Sequence, residues 1–472
     1  MPALRSSDNS LRSALALFVI CLGAITAALD SAVNIAFPSI TDYFGRELQD
    51  ISWLVIAYVL TYCSLLLIFG RLGDLVGYRI VFQIGLVIST VGFAACAYAE
   101  TFVVLLLGRI VQGIGIALIL SCAPALITSL RGEQERTRML GIYASMAAIG
   151  AALGPLAGGM MVERFGWSVV FWVRIPLVLT ALALSWCIPV RRASGSLTGL
   201  DPLGSVQLVF ALCAVLLGFA VHRDSTGPTL PLAMIALGCL VLALFIRRQS
   251  ARSNPIIRPA LFREPLFLLM NGASVIANFA AFSVVLIGPF YLIRVARLDA
   301  GLAGLMLACG AFGLIVGSLC AAGIISRIGR SRTAVLGMFL SAAGLLGISI
   351  WTDEVQFSLM VLTLFLQGFG LGLFQVAYAD LVTATLPVTE RGVAGSLTMV
   401  TRTIGIVGGA AGHAALHSYF ETAATASGGA GIASFLAGFQ AVFVVAATAQ
   451  FLALVVGGLV IWKSGKRTAK DA

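Results

Sequence analysis

The chain has 472 residues, of which 60% are hydrophobic and 11% charged, with a formal net charge of +10. A soluble protein of this length carries roughly 25% charged residues, so a string of soluble domains is excluded. Apolar stretches of about 20 residues, enough to cross a bilayer core about 30 Å thick, recur along the chain instead. The fold class is all-α integral membrane. The basic excess sits in short loops between apolar runs and forms no stripe, so it reads as membrane topology and not as a nucleic-acid surface.

Arg5 and Arg12 precede the first apolar run, as in a signal peptide, but the run continues to Pro38 and contains Asp30 and Asn34. It is expected to be a retained first helix. Spans are predicted near 14–37, 50–70, 79–98, 101–122, 138–160 and 167–189, then 203–221 and 231–247. Six more follow near 267–292, 303–325, 333–351, 357–380, 393–415 and 435–462, making fourteen. With the N-terminus inside, cytoplasmic segments hold roughly 22 Lys and Arg against roughly 5 outside. Both termini are therefore expected in the cytoplasm of a multi-pass cell-membrane protein. Trp53, Trp167, Trp186, Trp351 and Trp462 fall near span ends, as an interfacial belt requires. The nine cysteines all fall inside apolar runs without a CxxC pair, so neither a disulfide framework nor a metal site is indicated.

An internal repeat is visible. GRLGDLVGYR (Gly70–Arg79) follows the second span and AGIISRIGR (Ala322–Arg330) the tenth, and Gly77 aligns with Gly329 at an offset of 252. Glu135-Arg136 and Glu390-Arg391 match at an offset of 255. Two parallel six-helix bundles follow, residues 1–190 and 265–472, separated by a two-helix insert with its flanking loops, 191–264.

Seven segments in order carry a resemblance. They are LDSAVNIAFP in the first span, GRLGDLVGYR after the second, GRIVQGIG in the fourth, GAALGPLAGG in the fifth, FWVRIP in the sixth, LDPLG before the seventh and RGVAGSLTMVTRTIG in the thirteenth. Over nearly its whole length the sequence resembles the fourteen-spanner drug/proton antiporter family of the major facilitator superfamily, the Emr/Qac type. The resemblance implies outward transport of a small amphipathic substrate driven by the proton gradient, without other cofactors, and a monomer is the expected form. It implies that Asp30 carries the proton, and Arg109 with Gln112 matches the family's fourth-span motif. It also implies that Gly70, Arg71, Gly73, Asp74, Gly77 and Arg79 form a cytoplasmic latch in which Asp74 caps a helix end. Gly150, Gly154, Pro155, Gly158 and Gly159 match its antiporter motif; glycines four apart leave a smooth helix face that a neighbour can approach closely.

Charges inside a membrane are costly, so Asp30, Arg109, Arg174 and Arg402 are candidates for function. At about 1.5 Å per residue, Asp30 and Arg109 lie roughly 10 and 12 Å from the outer ends of their spans, so a pair between them is geometrically allowed. Desolvation favours the neutral acid and a nearby guanidinium the carboxylate, so a modest rearrangement would switch Asp30 between proton-bound and free. The alternative is a permanently ionised bridge that fixes packing. Asn34, Gln112, Arg174 and Arg402 are expected to line the substrate cavity. Where the family has Asn before Ile/Val-Pro in the sixth span, this chain has Arg174, and Thr398 stands where an Asn is common. Arg174 and Arg402 are expected to lack an acidic partner, which favours neutral or anionic substrates over quaternary cations; the bland alternative is an Arg174 that snorkels to the headgroups. His413 reads as a hydrogen-bonded packing residue and Asp380 as interfacial.

A dedicated exporter or importer of one metabolite remains open beside multidrug export. A membrane enzyme or receptor is the remote alternative: the spans hold no paired catalytic carboxylates, ligand cluster or nucleophile and base. No Walker lysine pattern argues for ATP drive.

Overall fold

The computed structural model describes residues 2–130, 133–189, 202–220, 229–250, 265–385, 391–429 and 431–468. Among them the regular structure is helical. The first part comprises α1 (Pro2–Ala28), α2 (Ser31–Ile35), α3 (Phe37–Phe44), α4 (Leu48–Val76), α5 (Tyr78–Ala97), α6 (Phe102–Leu130), α7 (Glu133–Phe165), α8 (Val169–Trp172) and α9 (Arg174–Leu184). Then come α10 (Pro202–Ala220), α11 (Thr229–Ser250), α12 (Pro265–Phe290) with a π-helical turn Tyr291–Val295, α13 (Ala300–Ile328), α14 (Arg330–Ser349), α15 (Phe357–Thr385), α16 (Arg391–Ala426) and α17 (Ile432–Thr468).

Twelve stretches among the described residues are long and apolar enough to cross a membrane. The two other expected spans fall on α10 and α16, which are helical but are not among the twelve. The chain divides into two compact units, residues 1–46 with 53–209, and residues 47–52 with 210–472.

Helix α5 shows the logic of lipid-facing packing. Ile80, Ile84, Val87 and Val91 are exposed on one face, while Gly85, Ser89, Gly92 and Cys96 are buried on the other. Apolar residues point outward and small ones inward, the inverse of a soluble helix. A side-chain carbon at Gly92 would sit 2.7 Å from the Cα of Gln112 on α6, so only glycine allows that approach.

The first predicted span is not one continuous helix. After Ala28 the hydrogen bonds tighten to an i,i+3 pattern, Ala32 N–H to Leu29 C=O and Val33 N–H to Asp30 C=O. A second break falls at Ala36, because Pro38 has no amide proton and is accommodated in the first turn of α3. The sixth span is also divided: Pro176 sits in the first turn of α9, whose first residue is Arg174.

The tryptophans near span ends differ in exposure. Trp186 is exposed, whereas Trp167 and Trp351 are buried against aromatic neighbours, Phe44 and Phe171 for the first, Tyr291 and Phe439 for the second. Aromatic packing covers both of these rings at the helix ends. Cys21, Cys96 and Cys122 are buried, but Cys239 and Cys320 are exposed on their helices.

Candidate functional site

The first break places a carboxylate among cations. Arg109 on α6 donates Nη1 to Asp30 Oδ1 at 2.6 Å and Nη2 to Oδ2 at 2.8 Å, a bidentate pair. Its Nε donates to the Leu54 carbonyl of α4 at 3.1 Å, and its Cζ lies 4.2 Å from the centre of the Tyr58 ring. Gln112, one turn further along α6, accepts from Arg109 Nη1 at 2.9 Å and donates to Asp30 Oδ1 at 3.0 Å. Arg174 completes the cluster. Its Nη1 reaches Asp30 Oδ1 at 2.9 Å, and its Nη2 takes the Leu29 carbonyl at the break at 2.7 Å.

Arg109 and Arg174 are 1% and 0% exposed, while the Asp30 side chain retains 18%. Two charged donors and an amide therefore converge on a carboxylate that still faces open space. Arg174 also lies over the rings of Phe93 and Phe171, at 5.3 and 5.8 Å. Removing one member of such a buried set leaves an uncompensated charge, at a typical cost of about 3–5 kcal/mol.

The arrangement corrects the expectation that Arg174 lacks an acidic partner: it shares Asp30 with Arg109. It also rules out snorkelling, since Arg174 is wholly buried and its guanidinium is tied to the first helix. The physical reason lies in α9: Pro176 starts that helix at Arg174, whose guanidinium adds a second donor to the Leu29 carbonyl at the α1–α2 break.

Asn34 is half-buried on α2, four residues beyond Asp30. Arg402, on α16 in the second unit, is exposed while Thr401 and Thr403 beside it are buried. Its side chain is directed away from its own unit's packed interior.

The glycine face of α7 lies against the same break. A side-chain carbon at Gly150 would sit 3.1 Å from Ala28 Cβ, one at Gly158 2.8 Å from Ala32 Cβ, and one at Gly154 would overlap Ser31 Oγ. Ser31 bridges the two helices by donating to the Ala151 carbonyl at 3.0 Å. Pro155 and Gly159 are buried on α7.

Of the loop after α4, Gly77 has a positive φ of 101° and starts α5, and a side chain at Gly73 would meet the Tyr78 ring at 2.5 Å. A carbon at Gly70 would find only Ser121, at 4.0 Å. Arg79 donates to the Ile188 carbonyl at 3.0 Å and stacks over Trp186. The expected latch contacts of Arg71 and Asp74 involve side chains outside the described residues.

In the second unit a neutral network occupies the interior. The Tyr378 hydroxyl donates to Asn271 Oδ1 at 2.9 Å and lies 3.1 Å from Thr401 Oγ1, which is 3.3 Å from Ser274 Oγ. His413 is fully buried, with Nε2 2.8 Å from the Phe279 carbonyl. Asp380 pairs with Arg330 at 2.6 Å, both partly exposed. Tyr58 and this neutral network escaped the sequence reading. Polar side chains such as Asn271 and Asn278 inside an apolar run were the available signal.

Comparison with known proteins gives one consistent picture. The family model described as Major Facilitator Superfamily matches residues 19–410. The chain is 26% identical to the riboflavin transporter RibZ of Clostridioides difficile over 87% of this chain and 88% of that protein. It is 30% identical to the methylenomycin A resistance protein of Streptomyces coelicolor over 84% of each. Among solved structures, the nucleoside transporter NupG aligns with a TM-score of 0.69 at 11% identity, covering 94% of this chain and 99% of that one; this likeness shows the fold alone.

Proposed function

This chain belongs to the major facilitator superfamily, a membrane transporter and not an enzyme, and from that premise we propose that it exports small amphipathic molecules in exchange for protons. The cycle is alternating access in the cell membrane, with fourteen spanning helices, both termini in the cytoplasm and no cofactor beyond the proton gradient. Residues 1–190 and 265–472 form the two bundles and 191–264 the insert. The polypeptide works as a monomer.

One observation carries the reading: the Asp30 carboxylate sits at a helix break, bonded by Arg109, Arg174 and Gln112, and remains partly open. A proton and the guanidiniums compete for the same oxygens. Protonation of Asp30 weakens the bidentate bond, releasing the break to move against the glycine face of α7. Deprotonation on the other side restores the bond. Asp30 is thus the coupling residue and Arg109 its counter-ion. Asn34, Gln112, Arg174 and Arg402 are the proposed substrate-path residues, and Gly70, Arg71, Gly73, Asp74, Gly77 and Arg79 latch the cytoplasmic side.

The test is uptake into inverted membrane vesicles under an imposed pH gradient, screened over cationic, neutral and anionic dyes. Accumulation of at least one class that collapses with a protonophore is expected. Uptake indifferent to the gradient would overturn proton coupling.

A second reading, a dedicated transporter of one metabolite, is supported by the likeness to a riboflavin transporter. Saturable uptake of one compound, undisturbed by unrelated amphiphiles, would favour it.

A further inference from the structure

We propose that Arg174 makes the buried cluster an excess-cation site, and that the transported molecule is an amphiphile carrying a single acidic group, such as a carboxylate or an ionised enol. The inference rests on the transport reading above and names its substrate class. Where the resemblance leads to an asparagine, this chain places a guanidinium whose Nη1 is 2.9 Å from the same carboxylate oxygen that Arg109 already holds at 2.6 Å.

The charge count follows directly. Asp30 supplies one negative charge, and Arg109 and Arg174 supply two positive ones. No other carboxylate among the described residues lies within ion-pairing distance of either arginine. Tyr58, Phe93 and Phe171 offer aromatic faces, which disperse a cation's charge without cancelling it. One positive charge is left over in a region shielded from water.

A second observation points the same way. Arg174 Nε is buried and has no hydrogen-bond partner, although its two terminal nitrogens are engaged. The side chain is therefore not fully satisfied by the protein, an expensive state for a guanidinium in low dielectric. The opening lies at Asp30, the member of the cluster that remains partly exposed. An anionic group approaching there gains from the surplus charge, and above all once Asp30 takes a proton and leaves both guanidiniums short of an acceptor. A quaternary cation meets the same surplus as repulsion. At separations of about 8 Å and an effective dielectric near 20, one unit charge changes occupancy by more than tenfold.

The experiment uses one fluorophore in three forms, a monocarboxylate, its methyl ester and its trimethylammonium analogue, with the full chain in membrane vesicles and purified in detergent. The parent is expected to bind and transport the carboxylate at least about tenfold better than the trimethylammonium form. Arg174→Asn should narrow that ratio by about tenfold, whereas Arg174→Lys, which keeps the charge, should preserve it. A parent that prefers the trimethylammonium form overturns the proposal, and so does an unchanged ratio in Arg174→Asn. If Arg174→Asn does not reach the membrane, the parent ratio and Arg174→Lys still decide: loss of acid preference in Arg174→Lys refutes a charge effect. Equilibrium binding needs no gradient. Acid-selective binding without gradient-driven uptake would therefore fault the proton coupling and leave this inference standing.

Discussion

The two units repeat a scaffold and differ in their chemistry. Helices α5 and α14 each have 20 residues and each starts after a glycine of positive φ, Gly77 at 101° and Gly329 at 85°. Gln112 closes on Gly92 as Gln367 closes on Gly344: a side-chain carbon added at either glycine would sit 2.7 Å from the glutamine Cα. On α16, Gly405 and Gly409 press on α12 as Gly150 and Gly154 press on the broken first helix, all at an offset of 255. What changes are the side chains. Leu364 stands at the place of Arg109, His413 at that of Gly158, and, aligning the backbones pressed by Gly150 and Gly405, Ala280 at that of Asp30. Helix α12 runs unbroken past Ala280, whereas α1 stops before Asp30. Close backbone approach needs glycine wherever it occurs, so it survives duplication. A buried ion cluster is costly to build, and among the described residues Ala280 and Leu364 of the second unit carry no charge where the first unit has Asp30 and Arg109.

The largest expected effect breaks this asymmetry at its centre. Asp30→Asn should abolish gradient-driven accumulation, a loss of at least about 100-fold, while dye binding to the purified protein persists; Arg109→Ala should be comparably severe. Uphill transport retained in Asp30→Asn would end the coupling assignment. The glutamines sharpen the contrast. Gln112 bonds both Asp30 and Arg109, but the Gln367 amide nitrogen is buried without a partner. Gln112→Ala should cut accumulation about tenfold and Gln367→Ala less than about twofold, given what a hydrogen bond to a charged group contributes. Equal losses would mean that the two sites do equivalent work.

Much of this was legible in the sequence, for reasons that can be stated residue by residue. The spans follow from apolar runs of bilayer length, and the repeat from Gly77 and Gly329, because a tight turn at positive φ admits little else. Asp30 and Arg109 stood out because charge is rare in such runs. Spacing along a span sets depth but not azimuth, so it does not reveal that Arg174 shares Asp30 with Arg109. Breaks at Leu29 and Ala36 were hidden inside one apolar stretch; Pro38 announced only the second. The neutral network of Asn271, Tyr378 and Thr401 was missed because uncharged polar residues raise no alarm in a hydropathy profile.

A middle-sized effect concerns the glycine faces. Gly154→Leu would drive a side chain into Ser31, next to Asp30, and should lose transport while protein still reaches the membrane. Gly409→Leu meets the Phe279 carbonyl and Phe282 Cβ on an unbroken helix, so it should act mainly by lowering the amount of folded protein. Transport per molecule, from vesicle uptake normalised to immunoblot signal, separates the two. If Gly154→Leu transports as the parent does, that face has no role in the cycle.

The smallest expected effect lies where the second copy outgrows the first. Helix α7 ends at Phe165, but α16 continues beyond the corresponding position to Ala426. The extension carries Glu421, whose Oε2 lies 3.4 Å from His417 Nδ1, and His417 is buried against Phe435. The hydrogen bond from His417 holds the Glu421 carboxyl below its ordinary range, with Arg294 of the π-helical turn adding attraction and partial burial opposing both. A carboxyl depressed in the folded state stabilises that state above its unfolded value near 4.5, and the contribution is lost as pH falls through the folded value. The side chain is 42% exposed, so solvent screens the pair and the effect is modest. Glu421→Gln should lower the Tm of the purified protein by about 2 °C at pH 7, and by less as the pH is taken below about 4. A difference from the parent that stays constant across this range would mean that Glu421 stabilises the extension by packing, and that no charge interaction distinguishes this end of the second unit.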